Sequence, residues 1–370
     1  MQIKCQKDQL LKGLSYVTNI VNEKPSISIL SNILINASDN TTQLAATDLK
    51  ISVEYSFLSD VPEAGSITVP AKKMQNIIRE LPNDLITIKA DEQNNVEISC
   101  GKSKYKIIGV TTDEFPTLPK VNASKIQLPQ KMLKDVLSKT TFSMSNDASR
   151  YVLNGLFCSA ASDEIIFVST DCRRMSMITK KIKTGLTEEK KFIIPSKMVS
   201  ELMRVLNNDG DLFITIGAKE LAFNLDELQY VCQLIDGHYP NYKQVIPEND
   251  PLSVFSLNIN ELYSIIRRAS VLMDKNISRI KLDFNDNKIN FSANVPELGD
   301  FHESIDTPYE KDQITMGFNP QYFMDILKNV DTEDIQFKIC CYNTKDTDKK
   351  VGILTTGQDD LFLIMPMELI

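Results

Sequence analysis

Cys100-Gly101-Lys102-Ser103 carries the Gly-Lys-Ser of a phosphate-binding loop. Such a loop needs a second glycine five residues before that Gly, so that backbone N–H groups can wrap a phosphate. Position 96 is Val96, and the segment lies between ISC and YKI as the turn of a hairpin would. A second set of letters, Ser103-Lys104-Tyr105-Lys106, Ser38-Asp39-Asn40 and Lys183-Thr184-Gly185, matches the S-x-x-K, S-D-N and K-T-G motifs of penicillin-binding enzymes. The order is wrong, since Ser38-Asp39-Asn40 precedes Ser103 and reads as a turn between two strands. Asp359-Asp360 and Glu188-Glu189 offer paired carboxylates, but they stand beside Gly, Thr or Lys, as charged surface turns do. His238 and His302 are the only histidines, which leaves little material for a histidine-based active site or a His-rich metal site. No nucleophile, base and orienting group fall into a set. No cofactor, metal or catalytic residue is expected. A hydrolase assembled from distant residues is kept as an alternative.

The 370 residues suffice for two or three domains of roughly 100–150 residues each. With 42% apolar and 24% charged residues the chain reads as an ordinary globular protein. A formal charge of −8 argues weakly against nucleic acid, because phosphate is bound by Lys and Arg. Net charge does not say where the charges sit, so an acidic exterior can coexist with one basic surface. Seven cysteines, an odd number with no C-x-x-C pair, fit a reducing cytoplasm better than a disulfide framework. The N-terminus has no apolar core of a signal peptide, and no run approaches the ~18 apolar residues of a membrane span. A cytoplasmic location and no membrane partner are expected.

What must position any functional residue is a threefold repeat. A strand ending in proline and followed by an amphipathic helix recurs at ITVPAKKMQNIIREL, FIIPSKMVSELMRVL and MGFNPQYFMDILKNV, with Pro70, Pro195 and Pro320 spaced 125 and 125. Proline in the first helical turn costs no hydrogen bond and presets φ. Each helix carries an apolar stripe at helical spacing: Met74, Ile77, Ile78, Leu81; Val199, Leu202, Met203, Leu206; Phe323, Ile326, Leu327, Val330. The third stripe starts one residue closer to its proline. Each repeat opens with another amphipathic helix: Asp8–Ile20, Gln130–Thr140 and Asn260–Ala269. Strand pairs follow, with Thr47, Thr170 and Ser292 in matching places. Phe115-Pro116, Tyr239-Pro240 and Met365-Pro366 close the repeats, 124 and 126 apart. These markers predict three α+β domains, 1–122, 123–250 and 251–370, each with two helices packed on antiparallel sheets of about eight strands. CCYNTKDTDKKVGIL reads as a polar loop.

SISILSNILINA with AATDL, FSMSNDASRYVLNGLFC, STDCRRM, DGHYPNYKQVIP and the terminus IMPMELI together resemble the bacterial sliding clamp, the beta subunit of DNA polymerase III. The resemblance covers the whole chain. It implies a homodimeric ring of clamp domains whose helices line a hole around duplex DNA. It implies a DNA polymerase processivity factor in DNA replication that tethers the polymerase III catalytic subunit, the clamp loader and other proteins with a clamp-binding motif. Opposite the apolar stripes lie Lys72, Lys73 and Arg79, then Lys197 and Arg204, and on the opening helices Lys12, Lys131, Lys134, Lys139, Arg267 and Arg268. By themselves these are equally well ordinary solvated faces. The resemblance turns them toward DNA, as sequence-independent phosphate contacts, and adds Lys24, Arg150 and Tyr151.

The resemblance also implies a pocket for partner peptides. Its positions are Leu153, Thr170, Cys172, Arg173, Arg174, Met175, Pro240, Gln244, Val245, Leu363, Met365, Pro366 and Met367. Flexible Met and Leu side chains suit a site that repacks around different peptides. On strand alternation alone, Leu363, Met365 and Met367 read more readily as a terminal strand facing the core. Two departures from the family pattern stand out. Cys172 and Arg173 replace the usual Gly and frequent His, and Glu368 follows the final Met where Arg is common. A peptide-binding scaffold of the same fold that is never loaded on DNA is the alternative.

Overall fold

The computed structural model describes the backbone of every residue except 23–24, 274–278, 297, 344–345, 358 and 370, and the side chains of all but these and 342–349. Six α-helices of at least eight residues punctuate it among the described residues: α1 (Lys7–Val17), α2 (Ala71–Glu80), α3 (Gln130–Thr140), α4 (Ser196–Val205), α5 (Ile259–Ala269) and α6 (Pro320–Leu327). They fall in pairs, two per sequence repeat. Every apolar stripe residue named above is buried except Met203, which is partly so. Pro70 and Pro195 end their strands and stand one residue before the helix, while Pro320 is the first residue of α6 behind an Asn319 cap. That offset accounts for the stripe that begins one residue early.

The compact units cut across the repeats. One comprises 1–132 and 204–234, the other 133–203 and 235–370. In the first, a five-stranded sheet runs in the order 60–63, 2–6, 85–90, 95–100, 103–108. Its eight-stranded sheet runs 124–129, 211–216, 220–225, 228–233, 51–58, 41–47, 32–38, 65–70. Strands from two repeats meet there, where Leu228 to Cys232 pair antiparallel with Tyr55 to Ile51. The second unit repeats the scheme. Its eight-stranded sheet runs 190–195, 155–160, 164–170, 174–181, 360–364, 346–355, 334–343, 253–258, and the repeats meet where Arg174 to Ile178 pair with Ile364 to Asp360. A four-stranded sheet, 299–306, 288–295, 280–285, 314–318, completes it.

Helix α1 lies close on strand 51–58 because residue 13 is glycine. A Cβ there would stand 2.5 Å from the Tyr55 ring. In the second unit Phe337 is the hub of an aromatic core, with ring centroids 6.0, 6.1 and 5.8 Å from Phe284, Phe318 and Phe323.

Two expectations change. The segment around Cys340–Leu354 is a hairpin and no loop: Cys340 pairs with Val351 and Cys341 with Lys350. Cys340, Val351 and Ile353 are buried. Ser292 lies inside its strand, because the third hairpin runs on for three more pairs, to Val295–Gly299.

Of the rejected motifs, two contain hairpin turns, Ser103-Lys104-Tyr105-Lys106 lies in the strand 103–108, and Lys183-Thr184-Gly185 lies in an irregular segment. Gly101-Lys102 links the paired residues Cys100 and Ser103. Asp39 and Asn40, with φ of 48° and 57°, link Ser38 and Thr41, the two left-handed residues of a tight hairpin turn. The Thr184 hydroxyl of the third motif donates to the Ala161 carbonyl (2.6 Å).

Candidate peptide pocket and basic helix faces

Thr170-Asp171-Cys172-Arg173-Arg174 forms a turn that its own side chains build. The Cys172 N–H donates to Thr170 Oγ1 (3.0 Å), and that hydroxyl donates to the Arg174 carbonyl (2.6 Å). Asp171 Oδ1 accepts from the N–H groups of Arg173 (2.9 Å) and Arg174 (3.0 Å). Asp and Thr favour such side-chain-closed turns. Cys172 sits at φ 70°, a left-handed corner that glycine occupies without strain. The same turn stands in the first repeat. There Leu49 N–H donates to Thr47 Oγ1 (3.0 Å), Thr47 Oγ1 to the Ile51 carbonyl (3.0 Å), and the N–H groups of Lys50 (2.9 Å) and Ile51 (2.7 Å) to Asp48 Oδ1.

Beside the second turn an apolar cluster comes to the surface. Phe157, Val168, Met175, Ile193, Cys340, Val351, Ile353 and Leu363 are buried in it, with Tyr239, Tyr242, Val245 and Met365 partly buried against it. Tyr239 stacks on Phe157 at 4.9 Å and donates to the Val168 carbonyl (3.4 Å). Burial holds its phenol protonated well above the usual range.

The expected pocket residues divide by depth. Leu153, Met175 and Leu363 are buried, Thr170, Arg174, Val245 and Met365 half-buried, and Cys172, Arg173, Pro240, Gln244, Pro366 and Met367 exposed. The tail is pinned by its backbone. Met365 N–H donates to the Arg173 carbonyl (2.9 Å) and Met367 N–H to the Gly317 carbonyl (2.8 Å). Along the terminal strand and tail Leu363 faces the core, Met367 is exposed, and Met365 lies at the margin.

Arg174 is not an open anchor. Its Nε donates to Asp171 Oδ2 (3.1 Å) and its Nη1 to Asp325 Oδ2 (2.6 Å). Its guanidinium lies over the Tyr322 ring at 4.5 Å and the Phe142 ring at 5.6 Å. Sequence reasoning missed Asp171, Tyr322 and Asp325, and also Phe157 and Tyr242 of the cluster. Only the Tyr239-Pro240 marker signalled that part of the site.

The basic faces are present. Lys72, Lys73 and Arg79 lie on the exposed side of α2, and Lys197 and Arg204 on that of α4. Arg150 is exposed, 3.8 Å from Asp147. The Asp147 carboxyl is held below its ordinary value by Ser149 hydrogen bonds and the Arg150 charge. Tyr151 is 57% exposed and leans on the backbone at Gly237, where a Cβ would stand 3.2 Å from its hydroxyl. Lys24 lies outside the described residues. Several cations of the opening helices are engaged locally: Lys139 with Asp135 (2.9 Å), Arg268 with Glu303 (2.5 Å), and Lys12 over Tyr55 (5.8 Å). A cleft of about 480 Å³ is lined by Asn146, Asp171, Arg174, Ser196, Lys197 and Ser200, among others. It joins one residue of the expected DNA set to one of the expected peptide set. No group of three or more His, Cys, Asp or Glu is placed to hold a metal among the described residues.

Comparison with known proteins fits this geometry. Family models match consecutively: DNA polymerase III beta subunit, N-terminal domain, over residues 1–119; central domain, over 127–241; C-terminal domain, over 243–367. The chain belongs to the DNA polymerase III beta-subunit family. A beta sliding clamp of Pseudomonas aeruginosa is 28% identical, over 100% of both chains. One of Chlamydia muridarum is 28% identical over 100% of this chain and 99% of its own. Solved sliding clamps of P. aeruginosa and Bacillus subtilis superpose over 100% of both chains with TM-scores of 0.93 and 0.94, at 27% and 25% identity. The resemblance drawn from RYVLNG, YPNYKQVIP and the MPM ending thus named the right family.

Proposed function

We propose that this beta-subunit family member is a DNA polymerase processivity factor, a sliding clamp that encircles duplex DNA as a ring of two copies and catalyses no reaction itself. The observation that carries this is the match of the three family domains in order along the whole chain. In this reading the domains are 1–122, 123–250 and 251–370, and the clamp acts in the cytoplasm. No helix among the described residues is long and apolar enough to cross a membrane.

Ring closure draws support from the sheet order. Within the chain, the strand after each Thr-Asp turn pairs with the last strand of the next repeat, 51–58 with 228–233 and 174–181 with 360–364. The corresponding hairpin strand of the third repeat, 299–306, and the last strand of the first repeat, 103–108, both end their sheets. An exposed strand edge is a template for pairing. Lys104 and Lys106 lie on one edge, and Asp300, Glu303 and Asp306 on the other, so a second copy fits head to tail. Ile108, at 76% exposed, would add apolar contact.

Lys72, Lys73, Arg79, Lys197 and Arg204, with Lys24, Arg150 and Tyr151, would meet the phosphates without reading bases. Retention then comes from topology, and weak contact permits sliding. The pocket from Leu153 to Met367 would hold peptides of the polymerase III catalytic subunit, the clamp loader and other partners. Met365 and Leu363 supply an apolar floor, and Arg173 and Gln244 a polar rim. A similar P. aeruginosa clamp has been solved bound to griselimycin, so a clamp of this fold can hold a ligand.

The test is loader-dependent retention on nicked circular DNA, before and after the circle is cut, with the same organism's loader. Retention that is lost on cutting is expected for a threaded ring. Equal retention on both forms would mean ordinary affinity and end the clamp reading. No retention on either, with an active loader, would favour the unloaded scaffold.

A further inference from the structure

We infer that Arg174 is a positioning residue: it fixes the peptide pocket's turn to helix α6 and does not itself grip the peptide. This rests on the pocket reading above. Four observations carry it. The guanidinium is engaged on two sides, by Asp171 (3.1 Å) and Asp325 (2.6 Å), and its flat faces are covered by Tyr322 and Phe142. Its side chain is 12% exposed, so little of the guanidinium is open to a guest.

The turn does not need this ion pair in order to form. The first repeat makes the same hydrogen bonds around Thr47 and Asp48 with apolar Ile51 in the matching place. What Arg174 adds is therefore a connection. Asp325 is also held by Gln321, whose Nε2 donates to Oδ1 (2.6 Å). From Asp325 the links run through Arg174 to Asp171, to the Arg173 backbone, and to the Met365 N–H. The chain of contacts joins α6 to the pocket rim and the pocket floor together.

A half-buried ion pair contributes little net stability against an apolar substitute, but it specifies one arrangement. Breaking one end leaves a charge with poor solvation and lets the turn relax. Thr170, Cys172, Arg173 and Met365 would then lose their mutual placement. Asp325 is outside the pocket, so its loss reports on placement alone.

The experiment measures binding of the same organism's polymerase III catalytic subunit to immobilised clamp, for wild type, Arg174→Met, Arg174→Lys, Asp325→Asn and the double variant Arg174→Met with Asp325→Asn. Positioning predicts that Asp325→Asn and Arg174→Met each weaken binding about tenfold, and that the double variant is no worse than the singles. Arg174→Lys should resemble Arg174→Met, because ammonium cannot bridge both carboxylates in the guanidinium's planar geometry. Circular dichroism and thermal melting confirm that each variant is folded, and Asp325→Asn serves where Arg174→Met is not. Loss with Arg174→Met, retention with Arg174→Lys and no effect of Asp325→Asn would mean direct contact and overturn the inference. Lower melting temperatures with unchanged binding in all variants would mean a purely structural role, and overturn it too. A wild type that fails to bind an active polymerase would instead remove the pocket reading itself.

Discussion

Leu49 and Cys172 hold the same left-handed corner of the same turn in successive repeats, at φ 72° and 70°. Neither side chain is buried, so the strain is not offset by packing. Leu49→Gly and Cys172→Gly should each raise stability, by about 0.5–1 kcal/mol, the left-handed cost of an L-residue less glycine's chain entropy. Chemical denaturation midpoints of the two variants measure this. A lower midpoint for both would show that the corner is not strained.

The apolar margin of the pocket should dominate partner binding. Met365→Ala with Met367→Ala is expected to weaken polymerase binding tenfold or more, on the order of an interface hot spot, with the dimer unchanged in sedimentation. A folded double variant that binds normally would remove the pocket assignment.

Head-to-tail pairing of the two open edges predicts a charge-dependent dimer. Lys104→Glu with Lys106→Glu should weaken dimerisation about tenfold at low salt, and less at high salt, where exposed charges are screened. Adding Asp300→Lys and Asp306→Lys should restore it. Sedimentation velocity across protein concentration reads both effects, and an unaltered dimer in the first variant would place the interface elsewhere.

Thiol reactivity should follow burial. Desolvation pushes Cys5 and Cys232 up to about 12 and raises Cys158 as well, while Cys172 is exposed. Alkylation at pH 8 followed by mass spectrometry should therefore label Cys172 well before these three, since the thiolate is the nucleophile. The linkage sign follows. For Cys5 and Cys232 the unfolded thiol ionises near 9 and the folded one near 12, so the stability these two contribute is full below pH 9 and lost as pH rises toward 12. Early labelling of Cys5 in the folded protein would contradict its placement.

Phe337 should be the most sensitive core position of the second unit. It is 1% exposed and meets three other rings. Phe337→Ala is expected to cost about 3–5 kcal/mol, measured by chemical denaturation. A loss under 1 kcal/mol would mean that the cluster repacks.

The repeat was legible because burial imposes a period. The spacing of Met74, Ile77 and Ile78 alone puts them on a buried face, and the letters around Gly101 and Asn40 read as hairpin turns. The sharing of each eight-stranded sheet between repeats left no such mark. Strand 51–58 pairs with 228–233 across more than 170 residues, and edge pairing has no periodicity of its own. For the same reason the Arg174–Asp325 pair could not be foreseen: nothing near Arg174 in sequence announces Asp325. The Cys340–Leu354 pairing was hidden because the polar letters of the segment outweighed the buried Cys340, Val351 and Ile353 in a composition-based reading.

The ladder from Leu228–Tyr55 to Cys232–Ile51 has a mechanical consequence. The chain between Val110 and Ser124 carries no strand or helix, yet it is the only covalent tie between the first and second repeats. A single proteolytic cut there would break the polypeptide and leave the shared sheet whole. The two fragments should copurify and separate only under denaturant, so the protein is divisible in its backbone at a place where its sheet is continuous.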